Sequence, residues 1–462
     1  MALDLDWAPA WRIAAAVKSG ETSALAAVEA SLVRIEKLNT KVNAFTAVVA
    51  DRARKKAKAI DTNDANRAAP LAGVSFAVKN LFDVKGLATV AGSKINRDNA
   101  PAAKDSLLIE RLEAAGAILV GALNMGEYAY DFTGENVHDG AAHNPHNLTR
   151  MTGGSSSGSA AAVAGGLVPL SLGSDTNGSI RVPASHCGIF GLKPTYGRLT
   201  RARSFPFVTS LDHLGPFARS VRDLALSYDA MQGRDMEDPV CAQRDAEPVT
   251  SLVERGAAGL RIAIAGGYFQ KGAFPEAKEA LARVAKALNV KREIEIPQAE
   301  RARAAAYIIT TTEGAALHLE RLRTRARDFD PAVRDRLIAG AMVPASLVVK
   351  AQKFRRWYRE QVLKLFDGVD AILAPACPCT APKIGQITVV IDGVEMPIRP
   401  NLGLYTQPIS FIGLPVAAVP VPLAPLPIGV QIIAAPWRED VALRIAHTLE
   451  TMGVASAPRP AL

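Results

Sequence analysis

Residues 153–188 read GGSSSGSAAAVAGGLVPLSLGSDTNGSIRVPASHCG, and the character of the chain changes twice along them. Small residues typical of a tightly packed helix come first, and the apolar run LVPLSLGSD follows. A polar turn rich in glycine and serine comes last. A helix that leads directly into a buried strand is the repeating unit of α/β proteins. This stretch therefore predicts an α/β fold in which a glycine-rich loop leaves the end of a strand.

The segments before this stretch repeat the same alternation. Residues 23–38 place their apolar side chains on one helical stripe behind Ser23, a residue that favours helix caps. Residues 71–84, LAGVSFAVKNLFDV, have the composition of a buried strand. Residues 105–124 indicate a helix that stops near Gly116 and is followed by a short strand. Alternation of this kind favours a sheet with parallel strands.

The whole chain, residues 1–462, is predicted to form a single domain. Its N-terminal part, about 10–65, is expected to be helical, and about 301–367 is expected to be a mainly helical insertion. Residues 234–257 are polar and weakly patterned, which indicates a surface excursion. No repeat of 20 to 50 residues is apparent.

The charge balance does not favour nucleic acid as a partner. The chain carries 54 basic and 45 acidic residues, a formal net charge of +9. The basic residues form no block of five or six, and RARKKAK at 52–58 has the pattern of a solvated helix face. The excess of positive charge suits an anionic small molecule equally well.

The sequence predicts a cytoplasmic protein that has no membrane-spanning helix. Asp4 and Asp6 precede the first basic residue, Arg12, which is not the order of a secretory signal. The longest uncharged region lies near the C-terminus and is interrupted by many prolines, which excludes a membrane helix there. The four cysteines do not form a disulfide framework, so reduced thiols are expected.

Three polar elements interrupt apolar sequence and are candidates for chemistry. Lys79 stands among apolar residues in SFAVKNLF, so burial would favour its neutral amine; alternatively it extends to the surface from a strand end. The loop that begins at Gly153 could cradle a phosphate or simply start a helix. Ser179 could be a nucleophile or a helix cap. Each element alone leaves both alternatives open.

Histidine offers no comparable signal. His143, His146 and His186 lie near these elements in sequence but lack metal-ligand spacing with acidic partners. Neither a Walker loop nor a dinucleotide-binding fingerprint accompanies the glycines. The sequence predicts neither a metal site nor a cofactor.

Taken together, the three elements resemble the amidase signature family. AVKN, GGSSSGSAAAVA and GSDTNGSIRVPASHCGIFGLKPT occur in this order, and Ser179 lies 24 positions after Ser155. Later stretches, SLDHLGPFARSV, ILAPA and LPIGVQIIAAPW, extend the resemblance over essentially the whole chain. The resemblance implies an α/β fold with a central mixed sheet flanked by helices. It also implies a catalytic triad of Ser179, Ser155 and Lys79 that hydrolyses amides through an acyl-enzyme.

The resemblance also implies how the glycine-rich loop serves catalysis. The backbone N–H groups of Thr176, Asn177, Gly178 and Ser179 would form an oxyanion hole, and glycine gives the substrate close access to them. A cis peptide bond is expected between Gly154 and Ser155. Asn177 departs from the commoner family pattern, which has glycine there. Its side chain is expected either to contact the substrate or to satisfy the loop geometry, since asparagine tolerates left-handed backbone.

Asp175 and Arg181 flank the loop, and two roles are open for them. They could form an internal ion pair that fixes the loop. Alternatively, Arg181 could bind a carboxylate of the substrate with its two-pronged guanidinium.

Within the family, SDTNGSIRVPAS, NLFDVKG, AGSKINRD, LYTQPISF and VQIIAAPW are most similar to a hydrolase of small anionic amides. This narrower resemblance implies deamination of 1-carboxybiuret to urea-1,3-dicarboxylate and ammonia, without a cofactor. It implies a small helical accessory subunit, and an oligomer is expected. Two alternatives remain: the glutaminase subunit of a tRNA-dependent amidotransferase, and a non-catalytic phosphate-binding module.

Overall fold

The structure, a computed structural model, describes residues 3–462. Its strands, in chain order, are β1 (Phe45–Val48), β2 (Ser75–Lys79), β3 (Ile118–Leu123), β4 (His143–Asn144), β5 (Asn147–Met151), β6 (Leu170–Asp175), β7 (Phe190–Lys193), β8 (His213–Ala218), β9 (Ile262–Ala265), β10 (Glu293–Ile294), β11 (Ala371–Pro375), β12 (Thr388–Ile391), β13 (Val394–Pro397), β14 (Val416–Val421) and β15 (Ile428–Ala434).

Eleven of these strands form one sheet in the order β1-β3-β2-β6-β8-β7-β14-β15-β11-β9-β10, and β4–β5 and β12–β13 form two small hairpins. Strands β3, β2 and β6 run parallel, as do β11, β9 and β10. The remaining neighbours pair antiparallel. The predicted central mixed sheet is therefore confirmed, whereas the parallel arrangement suggested by the alternation alone holds only within two groups of strands.

The α-helices flank this sheet: α1 (Ala10–Ser19), α2 (Ala24–Val42), α3 (Ala50–Asp61), α4 (Asp64–Arg67), α5 (Leu107–Ala114), α6 (Ser157–Ala164), α7 (Arg181–His186), α8 (Val221–Met231), α9 (Pro275–Ala287), α10 (Ala299–Arg325), α11 (Pro331–Ala341), α12 (Ala345–Leu365), α13 (Ile398–Asn401), α14 (Gln407–Ser410) and α15 (Glu439–Thr451).

Local signals in the sequence match several of these boundaries. The Ser23 side chain caps α2 by accepting a hydrogen bond from the Ala26 N–H at 3.0 Å. Gly116 has φ +93° just after α5, where a left-handed residue ends the helix. The N-terminal region is not entirely helical, because β1 lies within it and joins the edge of the sheet. Between residues 299 and 365 the chain forms the three helices α10, α11 and α12.

The parallel register of β2 and β6 determines where the candidate residues meet. Val78 on β2 pairs with Leu172 on β6, and both strands are buried along their full length. The carboxyl ends of parallel strands lie at the same edge of a sheet. Lys79 and the loop after Asp175 are therefore brought to one edge.

In the part of the chain that the structure describes, no helix combines the length and the apolar character needed to cross a membrane.

Candidate active site

Three separate elements bring Lys79, Ser155 and Ser179 to this edge of the sheet. Lys79 is the last residue of β2, Ser155 lies in the turn before α6, and Ser179 lies in the loop between β6 and α7. All three are buried, and Lys79 and Ser155 have no exposed surface. Lys79 thus does not extend to the surface, which removes the structural alternative considered for it.

The Lys79 amino group makes three hydrogen bonds to serines. Its Nζ lies 2.7 Å from Ser155 Oγ, 2.9 Å from Ser174 Oγ and 3.1 Å from Ser156 Oγ. The Ser156 hydroxyl donates to the Ser174 carbonyl at 3.1 Å, so Ser156 can only accept from Lys79. A neutral amine has two N–H donors and one lone pair. When Ser156 and Ser174 accept the two N–H groups, the lone pair faces the hydroxyl of Ser155.

Burial gives Lys79 the acid–base properties of a base near neutral pH. Loss of hydration lowers the pKa of its amino group from 10.5 to about 7, although Asp212, Asp175 and Asp131 partly oppose this by favouring the ammonium. A second buried lysine, Lys193, also has its pKa lowered to about 7, again chiefly by burial. Lys193 donates instead to the backbone carbonyls of Pro194 and Leu414, so it has no serine to act on.

The peptide bond between Gly154 and Ser155 is cis, as expected from the family resemblance. The Gly154 N–H donates to the Phe132 carbonyl at 2.9 Å, and the Ser155 carbonyl accepts from the Gly126 N–H at 3.1 Å. A Cβ at position 154 would lie 2.7 Å from Asp131 Oδ2, so this position accepts only glycine without a shift of its neighbours. Backbone contacts on both sides therefore fix the position of Ser155.

The loop before Ser179 presents a row of free backbone donors. Within residues 3–462, no protein group accepts a hydrogen bond from the N–H of Thr176, Asn177, Gly178 or Ser179. The next N–H, that of Ile180, donates to Asp175 Oδ2 at 3.2 Å. Four consecutive unpaired donors in a buried loop can stabilise a negative oxygen. This is the arrangement that the oxyanion hole requires.

The two serines are not directly hydrogen-bonded to each other. In the described part of the chain, Ser155 Oγ is hydrogen-bonded to Lys79 Nζ, and no hydrogen bond links it to Ser179. Nucleophile–base distances in a free enzyme are often longer than in its complex with substrate.

The glycine requirement in this loop falls on Gly178 and not on its neighbour. Gly178 has φ +146°, and a Cβ there would collide with the side chain of Thr406. Asn177 is absent from the described residues with positive φ. The left-handed backbone that was considered for Asn177 is therefore not found.

Asp175 and Arg181 form a completely buried ion pair. Arg181 Nε and Nη2 donate to the two Asp175 carboxylate oxygens, each at 2.9 Å. The guanidinium also donates to the Thr406 carbonyl at 3.1 Å, to Gln431 Oε1 at 2.6 Å and to Ser410 Oγ. The pairing holds the Asp175 carboxyl ionised, with its pKa well below the ordinary value despite burial.

This network corrects the alternative role considered for Arg181. Its side chain has no exposed surface, and its nitrogens are already engaged by protein groups. No donor is left for a substrate carboxylate. Arg181 instead ties the loop that carries Ser179 to α14 and β15, the elements that carry Ser410 and Gln431.

The side chain of Asn177 points toward α10. Its Nδ2 donates to Thr310 Oγ1 at 2.9 Å, while its Oδ1 is buried and has no hydrogen-bond partner among the described residues. Thr406 Oγ1 donates to the Asn177 carbonyl at 2.7 Å and fixes the backbone of the same residue.

A small cavity opens beside Ser179. The residues that line it are Ala129, Tyr130, Asp131, Phe132, Thr176, Asn177, Ser179, Phe207, Tyr307, Arg336 and Gln407. A larger cavity is lined by Ser174 and Asp212 but not by Ser179. Of the two cavities, only the smaller one has Ser179 in its wall.

Arg336 on α11 is the only cationic side chain among the described residues that line this cavity, and it was not predicted from the sequence. Its guanidinium lies over the Tyr130 ring at 3.8 Å, Nε donates to the Ala332 carbonyl at 2.7 Å, and Nη2 donates to the Tyr130 carbonyl. Over residues 3–462, no carboxylate lies within 4.0 Å of it, and Nη1 has no protein partner there. Nothing in the sequence around α11 distinguishes Arg336 from other arginines on helices.

The three histidines near the motif serve the fold. His143, His146 and His186 each contact a backbone carbonyl, of Leu148, Cys187 and Cys379 respectively. Among residues 3–462, no group of three or more His, Cys, Asp or Glu side chains is placed to hold a metal ion.

Comparison with known proteins gives a consistent result. Residues 26–443 match the family described as Amidase. AtzE, the 1-carboxybiuret hydrolase subunit of Pseudomonas sp. (strain ADP), is 50% identical over 444 residues, which cover 95% of this chain and 97% of that protein. A glutamyl-tRNA(Gln) amidotransferase subunit from Geobacter metallireducens is 36% identical, covering 94% of this chain and 95% of that one.

Solved structures agree. One of them, described as "An unexpected vestigial protein complex reveals the evolutionary origins of an s-triazine catabolic enzyme", has a TM-score of 0.96 and 49% identity, covering 98% of this chain and all of that one. The 6-aminohexanoate cyclic dimer hydrolase, with its substrate bound, has a TM-score of 0.87 at 28% identity, covering 99% of both chains. With its fold and sequence matched along nearly their full length, this chain belongs to the amidase signature family and is a hydrolase of C–N bonds.

Proposed function

We propose that this enzyme hydrolyses a small linear amide with Ser179 as nucleophile, Ser155 as proton relay and Lys79 as base. The 2.7 Å contact between Lys79 Nζ and Ser155 Oγ, at a lysine largely neutral above pH 7, is the observation that carries this proposal. The unpaired N–H groups of residues 176–179 support it, because they are available to the oxygen of the scissile carbonyl.

In the first half of the reaction, Ser179 Oγ forms a bond to the amide carbon. Its proton passes to Ser155 Oγ while the Ser155 proton moves to the lone pair of Lys79. The carbonyl oxygen becomes negative and accepts hydrogen bonds from the free N–H groups of the loop. The C–N bond then breaks, the nitrogen takes a proton from Ser155, and Ser155 recovers one from Lys79. Ammonia leaves, and the acyl group stays on Ser179.

In the second half, water attacks the acyl-enzyme along the same proton route. The water oxygen bonds to the acyl carbon and its proton passes through Ser155 to Lys79. The bond to Ser179 then breaks, and Ser179 recovers a proton as a carboxylic acid is released. The sum is amide plus water to acid plus ammonia, and the lysine ends neutral as it began.

We propose 1-carboxybiuret as the substrate, which yields urea-1,3-dicarboxylate and ammonia. Support comes from the 50% identity to a 1-carboxybiuret hydrolase subunit over nearly the whole of both chains. It also comes from Arg336, because an arginine nitrogen without a protein partner in the cavity beside Ser179 suits a carboxylate of the substrate. Asp131, the acidic residue of the same cavity, is paired with Arg399 and so repels an anion less.

Ammonia release from a panel of amides tests this assignment. The panel contains 1-carboxybiuret, biuret, allophanate and glutamine, each compared by kcat/KM. We expect 1-carboxybiuret to have the highest value. A preference for glutamine would instead assign the chain the role of an amidotransferase glutaminase subunit. Failure to trap an acyl group on Ser179 with any amide would contradict the mechanism itself.

We also propose that the enzyme works with a small helical accessory subunit, as an oligomer in the cytoplasm. The description of the 49% identical structure as a protein complex supports the partner. The four cysteines are buried and unpaired, which fits a reducing compartment. Co-purification from the source cell followed by mass measurement of the native assembly tests both the partner and the oligomer, and cell fractionation tests the location.

A further inference from the structure

Asn177 carries a buried hydrogen-bond acceptor for which the described part of the protein supplies no donor. The residue is only 7% exposed, and its Oδ1 has no partner. A buried polar atom left unpaired destabilises the fold, so such an atom at a cavity wall is free to accept a hydrogen bond from a ligand. Asn177 lines the cavity beside Ser179.

The direction of this acceptor is fixed by a residue far away in the sequence. Thr310 on α10 accepts a hydrogen bond from Asn177 Nδ2 at 2.9 Å, and it is itself 1% exposed. Because Nδ2 is held in this way, Oδ1 is the atom of the Asn177 amide that can still accept a hydrogen bond from a ligand in the cavity. The backbone of Asn177 does not need an asparagine, since it lacks positive φ.

The same residue offers its backbone N–H to the oxyanion. Asn177 and Ser179 also line the same cavity, so a substrate held against Ser179 lies beside Asn177. The group that Oδ1 can reach is the atom next to the scissile carbonyl carbon on the acyl side. An acceptor recognises an N–H at that position and is left unpaired by a CH₂.

We propose that Asn177 Oδ1, oriented by Thr310, selects ureido amides, in which the scissile carbonyl bears a second N–H, over carbon-linked amides. This inference rests on the proposed role of Ser179 as nucleophile. Thr310 is a positioning residue here, because it acts on the substrate only through Asn177. The proposal adds a chemical rule to the proposed function: the acyl side of the substrate begins with nitrogen.

Biuret and malonamide form a matched pair for the test, because they differ only in the central NH or CH₂. We expect wild-type kcat/KM, measured by ammonia release, to favour biuret. Intrinsic reactivity cancels when the ratio of the two values is compared between variants. The Asn177→Gly variant should lower this ratio about 10-fold or more, and Thr310→Val should also lower it, because it frees the amide to rotate. Thr310→Ser should keep the ratio of the wild-type enzyme, because serine retains the hydroxyl.

Binding to the Ser179→Ala variant keeps the proposal testable whatever the turnover. Dissociation constants for biuret and malonamide are measured with and without the Asn177→Gly change. We expect tighter binding of biuret that depends on Asn177. Biuret that binds no tighter than malonamide, or a preference that survives Asn177→Gly, overturns the proposal. Failure of the proposed function is seen separately, as the absence of an acyl group on Ser179 in the active enzyme.

Discussion

Lys79 should make the activity depend on pH with a midpoint near neutrality. Its burial lowers the pKa from 10.5 to about 7, and at about 1.4 kcal/mol per pKa unit this corresponds to about 5 kcal/mol against the charged form. A lysine is neutral above its pKa, so the active fraction rises with pH. At pH 6 about one molecule in ten is active, and above pH 8 about nine in ten are.

The assay is kcat/KM from ammonia release between pH 5.5 and 9, with solvent viscosity varied to show that chemistry limits the rate. We expect a tenfold rise per pH unit at the acid end, a midpoint near pH 7 and a plateau above pH 8. A rate that still climbs tenfold per unit up to pH 9 would mean an unperturbed lysine. A flat profile from pH 5.5 would mean that no such base titrates.

Lys193 supplies the matched control, because it is equally buried and its pKa is also lowered to about 7. It donates to backbone carbonyls and touches no serine of the site. A folded Lys193→Met variant should keep the midpoint of the pH profile. Loss of the midpoint in this variant, with Lys79 intact, would contradict the assignment of the titration to Lys79.

Replacing Ser179 by alanine should abolish turnover and acyl-enzyme formation without loss of folding, as checked by thermal melting; near-normal turnover would exclude it as nucleophile. Ser155→Ala and Lys79→Ala should each lower kcat by several orders of magnitude, and the double variant should be hardly worse than either, whereas additive losses would argue against a shared relay. Arg336→Gln should raise KM about 10-fold or more for carboxylated amides and leave biuret nearly unaffected; equal effects on both would mean that it does not bind the carboxylate. Ser174→Ala should move the midpoint of the pH profile to lower pH, because the ammonium loses more than the neutral amine when this acceptor is removed; an upward move would contradict the hydrogen-bond assignment around Lys79.

The fold and the positions of Lys79, Ser155 and Ser179 could be predicted because their signals are local. Helix caps, the apolar strand around Lys79 and the glycine at 178 each follow from a few neighbouring residues. Their order along the chain then matched a known family. The edge strand β1 escaped prediction because four residues between two helices carry too little pattern.

The wall of the cavity could not be predicted for the opposite reason. Arg336 and Thr310 are ordinary residues on helices, and only the packing of α10 and α11 near the loop that carries Ser179 brings them to the candidate site. For Arg181, the neighbouring sequence did suggest a role, but it could not decide between two of them. Its place beside Asp175 suggested two roles, and only the contacts from Ser410 and Gln431, more than 200 residues away, leave it without a free donor.

The proposed reacting groups and part of the cavity wall lie on different segments of the chain, and this has an evolutionary consequence. The proposed reacting groups, Lys79, Ser155 and Ser179, lie on β2, in the turn before α6 and in the loop after β6. Tyr307 and Arg336 of the cavity wall, and Thr310 behind Asn177, lie on α10 and α11. Mutations that accumulate on these two helices can therefore alter which amide is accepted while the reacting groups stay untouched. Mutations in this one segment can thus change the amide that the enzyme hydrolyses during evolution. A mutant library confined to residues 299–341 can test this in the laboratory.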